Sequence, residues 1–285
     1  MRATTFVICI AAIAAGAWLN APSARADEAE VHYRSALVHK RAGRLDEALR
    51  EARAAIRARP SHSGAHYTAG SILRQMGQLP QALACLRQVT RLEPDHAPGW
   101  AAVGSTLLRM DRNDEAIEAL ARAVEIDPAD AASWGNLGLA YKREDRDEEA
   151  AHAYREGLRR TPNDSGLLNN LAVVYNNRRR YEESIVLLQD AIRRHDGDWQ
   201  MHLNLAIALR SAERYDEAVR HYRRVLEIQP RNPGALFDLA VSLEQLSRPD
   251  EAVQVYQEYI EVVRARDPTA AARTEERVRG LQRRR

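Results

Sequence analysis

Pro60, Pro94, Pro128 and Pro162 stand 34 residues apart, and the series resumes at Pro230 after Asp196 takes the intervening place. A fixed period of this size is the mark of a stacked repeat and decides how every other feature is read. With the proline as position 32, seven units of 34 residues fit without insertion: 29–62, 63–96, 97–130, 131–164, 165–198, 199–232 and 233–266. No unit of that length can enclose a core by itself, so each must lean on its neighbours. Composition agrees: only 6% of the chain is aromatic, which suits a thin core spread along the chain better than one thick core.

Aligning the units shows where two helices must meet. Position 8 reads Ala36, Gly70, Gly104, Gly138, Ala172, Ala206 and Ala240; position 20 reads Ala48, Ala82, Ala116, Ala150, Ser184, Ala218 and Ala252. Small side chains at one point on each helix let the axes approach, and larger residues such as Leu137, Tyr141 and Tyr154 fill the remaining space. The apolar spacing is that of helices, not the alternation of strands. Position 18 carries Asp46, Pro80, Asp114, Glu148, Glu182, Asp216 and Asp250. Acids there favour the positive end of a helix dipole, and proline has no N–H bond to lose in a first turn. The periodic proline closes the second helix. The expected fold is all-α, each unit being a helix, a tight turn, a second helix and another turn.

Trp134, Leu137-Gly138, Tyr141, Ala150, Tyr154 and Pro162 form one pattern, and Trp100, Val103-Gly104, Leu107, Ala116, Leu120, Ala123 and Pro128 form a second. On these residues the chain resembles the tetratricopeptide repeat family over nearly all of its length beyond residue 26. The first and last units depart most, with Ala52 where a large residue is usual and Arg264 in place of the proline. The resemblance implies a right-handed superhelical solenoid of seven tandem units, and a protein that holds other proteins or peptides rather than an enzyme.

Both ends differ from the repeats. Residues 1–26 have the form of a cleavable secretion signal: Arg2, an apolar stretch, then Ala24-Arg25-Ala26 as the small-x-small site, with cleavage expected after Ala26. Asn20, Pro22, Ser23 and Arg25 end the apolar run short of the roughly 20 residues a membrane span needs. The product would be exported, periplasmic or secreted, without membrane insertion of the mature chain. It would carry 40 basic and 40 acidic residues, which gives no global argument for nucleic acid. Cys9 falls in the signal, leaving Cys85 alone, so no intramolecular disulfide supports the fold. Residues 267–285 are expected to form a capping helix from Pro268, with Ala271, Val278 and Leu281 on its apolar stripe and a basic tail.

Chemistry-bearing patterns are sparse. No Gly-rich phosphate loop follows a strand, and no cofactor is implied. His62 and His66 are four apart, but no third ligand follows at fitting spacing, so no metal site is expected.

In tetratricopeptide proteins, positions 2, 5, 6, 9, 12 and 13 of the first helix face a ligand on the concave side. By that resemblance, position 6 presents Asn136, Asn170 and Asn204 in three successive units. Each amide offers a donor and an acceptor, so the row can hold a peptide backbone without reading its side chains. The arrangement resembles the asparagine ladder of importin-type solenoids; the alternative is that each asparagine bridges neighbouring helices. Asn169 and Tyr67 at position 5, with Arg74, Arg109, Lys142 and Arg143 at positions 12 and 13, complete the candidate peptide-binding set. The cations would welcome acidic or C-terminal carboxylate groups. The function expected is an adaptor in envelope assembly, with protein or peptide partners; the competing reading is a structural protein that self-associates through its outer faces.

Overall fold

The computed structural model describes residues 22–283. Among them every regular element is an α-helix. The helices pair as α1 (Pro22–Arg41) with α2 (Leu45–Ala58), α3 (Ser63–Gln75) with α4 (Leu79–Leu92), and α5 (Ala97–Leu108) with α6 (Asn113–Ile126). These pairs form one compact part, up to Pro128. A second compact part, from Ala129, pairs α7 (Ala131–Arg143) with α8 (Asp147–Arg160), α9 (Ser165–Asn177) with α10 (Tyr181–Ile192), α11 (Trp199–Ser211) with α12 (Tyr215–Ile228), and α13 (Pro233–Gln245) with α14 (Pro249–Val263). Helix α15 (Pro268–Arg283) packs on α14. The chain is an all-α helical-repeat solenoid. Most of the expected secretion signal, residues 1–21, lies outside the described residues, as do residues 284–285.

The turn inside each pair recurs. Position 15 has positive φ in every repeat, at Gly43, Gly77, Asp111, Asp145, Arg179, Glu213 and Ser247. The next residue's N–H returns to a carbonyl five residues back, as in Gln78 to Leu73 at 2.8 Å and Arg180 to Tyr175 at 2.8 Å. This left-handed closure satisfies the last carbonyls of the first helix. It suits Gly43 and Gly77; the five other residues bear the steric cost of a Cβ at positive φ. Residue 16 then serves as N-cap of the second helix, and its arginine pairs with the glutamate three residues on: Arg112 with Glu115, Arg180 with Glu183, Arg214 with Glu217, Arg248 with Glu251. Such exposed pairs contribute little each.

The turn between pairs depends on the proline. The residue before it is extended, with φ −140° at Arg59, −133° at Glu93 and −130° at Gln229. Proline excludes the helical region for its predecessor. Where it is missing the chain stays helical: Arg193, beyond the end of α10, has φ −56°, and Arg264, in the proline's own place, has φ −48°. The following helix is capped by the side chain at position 34: His62, His96, Asp130, Asp164, Asp198 and Asn232 each accept from a first-turn N–H. His62 is therefore a cap, and His66 bonds the Pro60 carbonyl at 2.9 Å.

The small residues at positions 8 and 20 are all buried. A Cβ added to Gly70 would lie 2.7 Å from Leu86 Cγ, one on Gly104 2.4 Å from Leu120 Cγ, and one on Gly138 2.6 Å from Tyr154 Cε1. Position 8 thus receives the large side chain at position 24 of its own repeat, while position 20 supplies the neighbouring wall; Ala82 O is 3.3 Å from the same point over Gly70. Tyr154, Tyr222 and Tyr256, all at position 24, are fully buried.

Gly138→Ala is therefore expected to lower stability by about 1–3 kcal/mol in urea denaturation, because the Tyr154 ring must move from a packed site. Adding Tyr154→Leu should restore most of that loss, since the next repeat pairs Ala172 with Leu188. A melt unchanged by Gly138→Ala would refute the contact.

Candidate functional site

Within each compact part, first helices touch first helices: α1 with α3, α3 with α5, α7 with α9, α9 with α11 and α11 with α13. No two second helices come within the same reach among the described residues. The first helices therefore crowd together on the inner side, and their exposed faces form a continuous surface within each part.

On α7, α9 and α11 the candidate asparagines are each half-buried, and they divide into two kinds. Asn204 Nδ2 donates to Asn169 Oδ1 at 3.1 Å, and Asn169 Nδ2 donates to Asp198 Oδ2, the cap of α11, at 3.2 Å. Asn176 Nδ2 adds a bond to the Asn204 carbonyl at 3.1 Å. Asn204 and Asn169 thus tie α9 to α11. Asn136 and Asn170 make no side-chain hydrogen bond among the described residues. Their amide donors and acceptors are unengaged among the described residues.

The cations of the first compact part form a row. Lys40 Nζ donates to Ser71 Oγ at 2.9 Å, Arg74 Nη1 to Ser105 Oγ at 2.6 Å, and Arg109 Nη1 to the Arg74 carbonyl at 2.9 Å. None of the three pairs with a carboxylate among the described residues. Burial, with the nearby Arg74 charge, holds the Lys40 ammonium below its ordinary pKa. Tyr67 packs edge-on against His96, the cap of α5, with centroids 5.6 Å apart. Lys142 and Arg143 close α7; Lys142 makes no ion pair among the described residues, and the Arg143 charge acts on Tyr154.

The position-24 tyrosines carry the feature that sequence reading missed. Arg210 Nε donates to the Tyr222 hydroxyl at 3.3 Å, and that hydroxyl donates to Asp238 Oδ2 at 3.4 Å. The Tyr256 hydroxyl donates to Glu244 Oε1 at 2.5 Å, where Arg277 Nε of α15 also donates at 2.6 Å. Tyr154 has no such partner: its hydroxyl is buried and bonded to nothing among the described residues. Burial raises all three phenols above their ordinary pKa. The signal lay in the pairing of positions 12 and 24 with position 6 of the next repeat.

One histidine pair is also built into the second part. Buried His202 stacks on His221 with Nδ1 atoms 3.0 Å apart, and its Nε2 lies 3.0 Å from the Asp196 carbonyl. Burial, with the His202 and Arg220 charges, pulls His221 down to about 4. No group of three His, Cys, Asp or Glu among the described residues is placed to hold a metal ion, and no described helix is long and apolar enough to cross a membrane.

A family model described as the cilia and flagella-associated protein 70 C-terminal domain matches residues 8–235, and a tetratricopeptide repeat model matches residues 203–271. The chain belongs to the tetratricopeptide repeat family, within the group that the first model describes. Curated proteins give no match. Solved structures share its fold. A tetratricopeptide repeat protein from Parabacteroides merdae is 14% identical, with 90% of this chain and 99% of that one covered at a TM-score of 0.62. YrrB, described as a TPR protein with an unusual peptide-binding site, is 17% identical over 67% of this chain and 97% of its own, with a TM-score of 0.58. MamA of AMB-1 is 20% identical over 58% and 98%, with a TM-score of 0.54.

Two outcomes follow. Asn204→Ala should cost about 1 kcal/mol, having lost a bond across α9 and α11, whereas Asn136→Ala should be nearly neutral in the same denaturation assay. Equal costs would contradict the division between bridging and unengaged amides. Because the folded pKa of His221 lies below its ordinary 6.5, its contribution is present above pH 6.5 and lost as pH falls toward 4. Allowing for partial exposure, the loss is about 2 kcal/mol. His221→Gln should flatten the stability profile across that window.

Proposed function

We propose that this chain is an exported adaptor that holds an extended segment of a partner protein along the first-helix face of its second compact part, without carrying out chemistry on it. The reading rests on Asn136 and Asn170, which stand at the same position of successive repeats with their amides unengaged. A partner's backbone supplies the carbonyls and N–H groups that such amides lack. The half-buried setting favours this, because an unengaged amide shielded from water gains more from a partner than an exposed one. YrrB, whose description includes a peptide-binding site, lends support by fold. The signal-like residues 1–26 support a periplasmic or secreted location, where envelope assembly would be the setting.

Asn136→Ala with Asn170→Ala provides the test, read as crosslinked partners recovered from an envelope fraction beside the wild type. Asn204 is kept, because it braces α9 against α11. The double variant should melt as the wild type does and lose the partners that the wild type captures. Partners retained by a well-folded double variant would overturn the groove reading.

Self-association is the second reading. Val31 and Val38, seven apart on α1, are 67% and 58% exposed, and a second copy could cover them. A mass that stays monomeric with rising concentration in analytical ultracentrifugation would remove this reading.

A further inference from the structure

Three repeats place a tyrosine at position 24, and two of them close it with a carboxylate of the chain itself. In the sixth repeat the closure is Tyr222 with Arg210 at position 12 and Asp238 at position 6 of the following repeat; Arg210 and Asp238 stand 3.7 Å apart. In the seventh it is Tyr256 with Glu244 and Arg277. The fourth repeat has the sixth's arrangement with one change. Lys142 holds the place of Arg210, Tyr154 that of Tyr222, and Asn170 stands where Asp238 would supply the carboxylate.

Three observations show what the change leaves behind. The Tyr154 hydroxyl is buried without a hydrogen-bond partner. An unpartnered buried polar atom costs free energy, so it calls for an explanation. Lys142 carries a charge with no ion pair among the described residues, and the Arg143 charge also acts on Tyr154. Asn170 has an unengaged amide. A hydroxyl, an ammonium and an amide N–H are all donors, and a carboxylate answers all three. In the sixth repeat the answering carboxylate lies at the surface, with 23% of the Asp238 side chain exposed.

We propose that Tyr154, Lys142 and Asn170 form a subsite for a carboxylate of the bound segment, an aspartate or glutamate side chain or a C-terminus. The proposal rests on the groove reading above and gives that groove a preference along its length. The ligand's carboxylate stands where Asp238 stands in the sixth repeat, accepting from the Tyr154 hydroxyl and pairing with Lys142. Asn136 adds backbone contact one repeat earlier and takes no part in the preference.

The test uses two probes, a short glycine peptide blocked at both ends with one central glutamate, and its glutamine twin, titrated calorimetrically into the full mature chain. The glutamate peptide should bind about tenfold more tightly, as charge-assisted hydrogen bonds exceed neutral ones. Tyr154→Phe and Lys142→Met should each shrink that ratio toward one by weakening the glutamate peptide more than its glutamine twin. Asn136→Ala should weaken both peptides alike. Asn170→Asp, which rebuilds the sixth repeat's closure, should raise the melting temperature and abolish the preference. Equal binding of the two peptides, still weakened by Asn136→Ala, would overturn the carboxylate subsite and leave the groove standing. Binding of neither peptide would overturn both.

Discussion

The fold depends on close contact within each helix pair, seen most sharply where the side chain at position 24 of the second helix lands on a glycine at position 8 of the first, as at Gly70, Gly104 and Gly138. At Gly104 and Gly138 there is no room for a further carbon, since an added Cβ would lie 2.4 Å from Leu120 and 2.6 Å from Tyr154. Close approach lets a thin layer of Leu, Val, Ala and Tyr exclude water along the whole chain, with few large aromatics. Stacking does the rest. A helix pair buries one face by itself, and the adjoining first helices cover the other. The left-handed turn and the extended residue before proline fix how far each pair rotates from the last, so local backbone chemistry sets the frame in which these contacts recur.

That regularity explains why the informative places are departures from it. A repeat protein satisfies the same polar group in the same way in each unit, so a unit that fails to do so stands out. Tyr222 and Tyr256 are closed by carboxylates and arginines, whereas Tyr154 is not. Asn204 is used as a brace, whereas Asn136 and Asn170 are not. The two departures are neighbours in the fold, for Asn136 and Asn170 stand on α7 and α9 and Tyr154, on α8, packs against Gly138 of α7. Around the outer faces, by contrast, arginines meet glutamates at nearly every repeat, and exposed charge is consumed locally.

Much of this was legible without coordinates. The proline period placed every second-helix end that bears one, because proline excludes helix from the residue before it. The small residues at positions 8 and 20 marked the interface, because only they admit close axes. The inner-face asparagines were visible as a column, but their roles were not. Asn204 and Asn170 occupy the same position, and the difference between them comes from Asn169, whose oxygen reaches one and not the other. His62 and His66 gave no metal site by spacing, and the use of His62 appears only in the fold: it caps α3, where the first backbone N–H groups of the helix lack acceptors. Reading it alongside Asp130, Asp164, Asp198 and Asn232 at the same position would have shown this.

The sequence alone determined the repeat length, the helical class, the family and the surface on which polar residues gather, because these follow from spacing and from the backbone limits of Pro and Gly. Only the tertiary structure decided which polar side chains are already answered from within. That question turns on distances of a few ångströms between residues some 12 to 35 positions apart, as with Tyr222 and Arg210 or Asn204 and Asn169. Hydrogen bonds weaken steeply with distance and angle. No spacing rule along the chain resolves them.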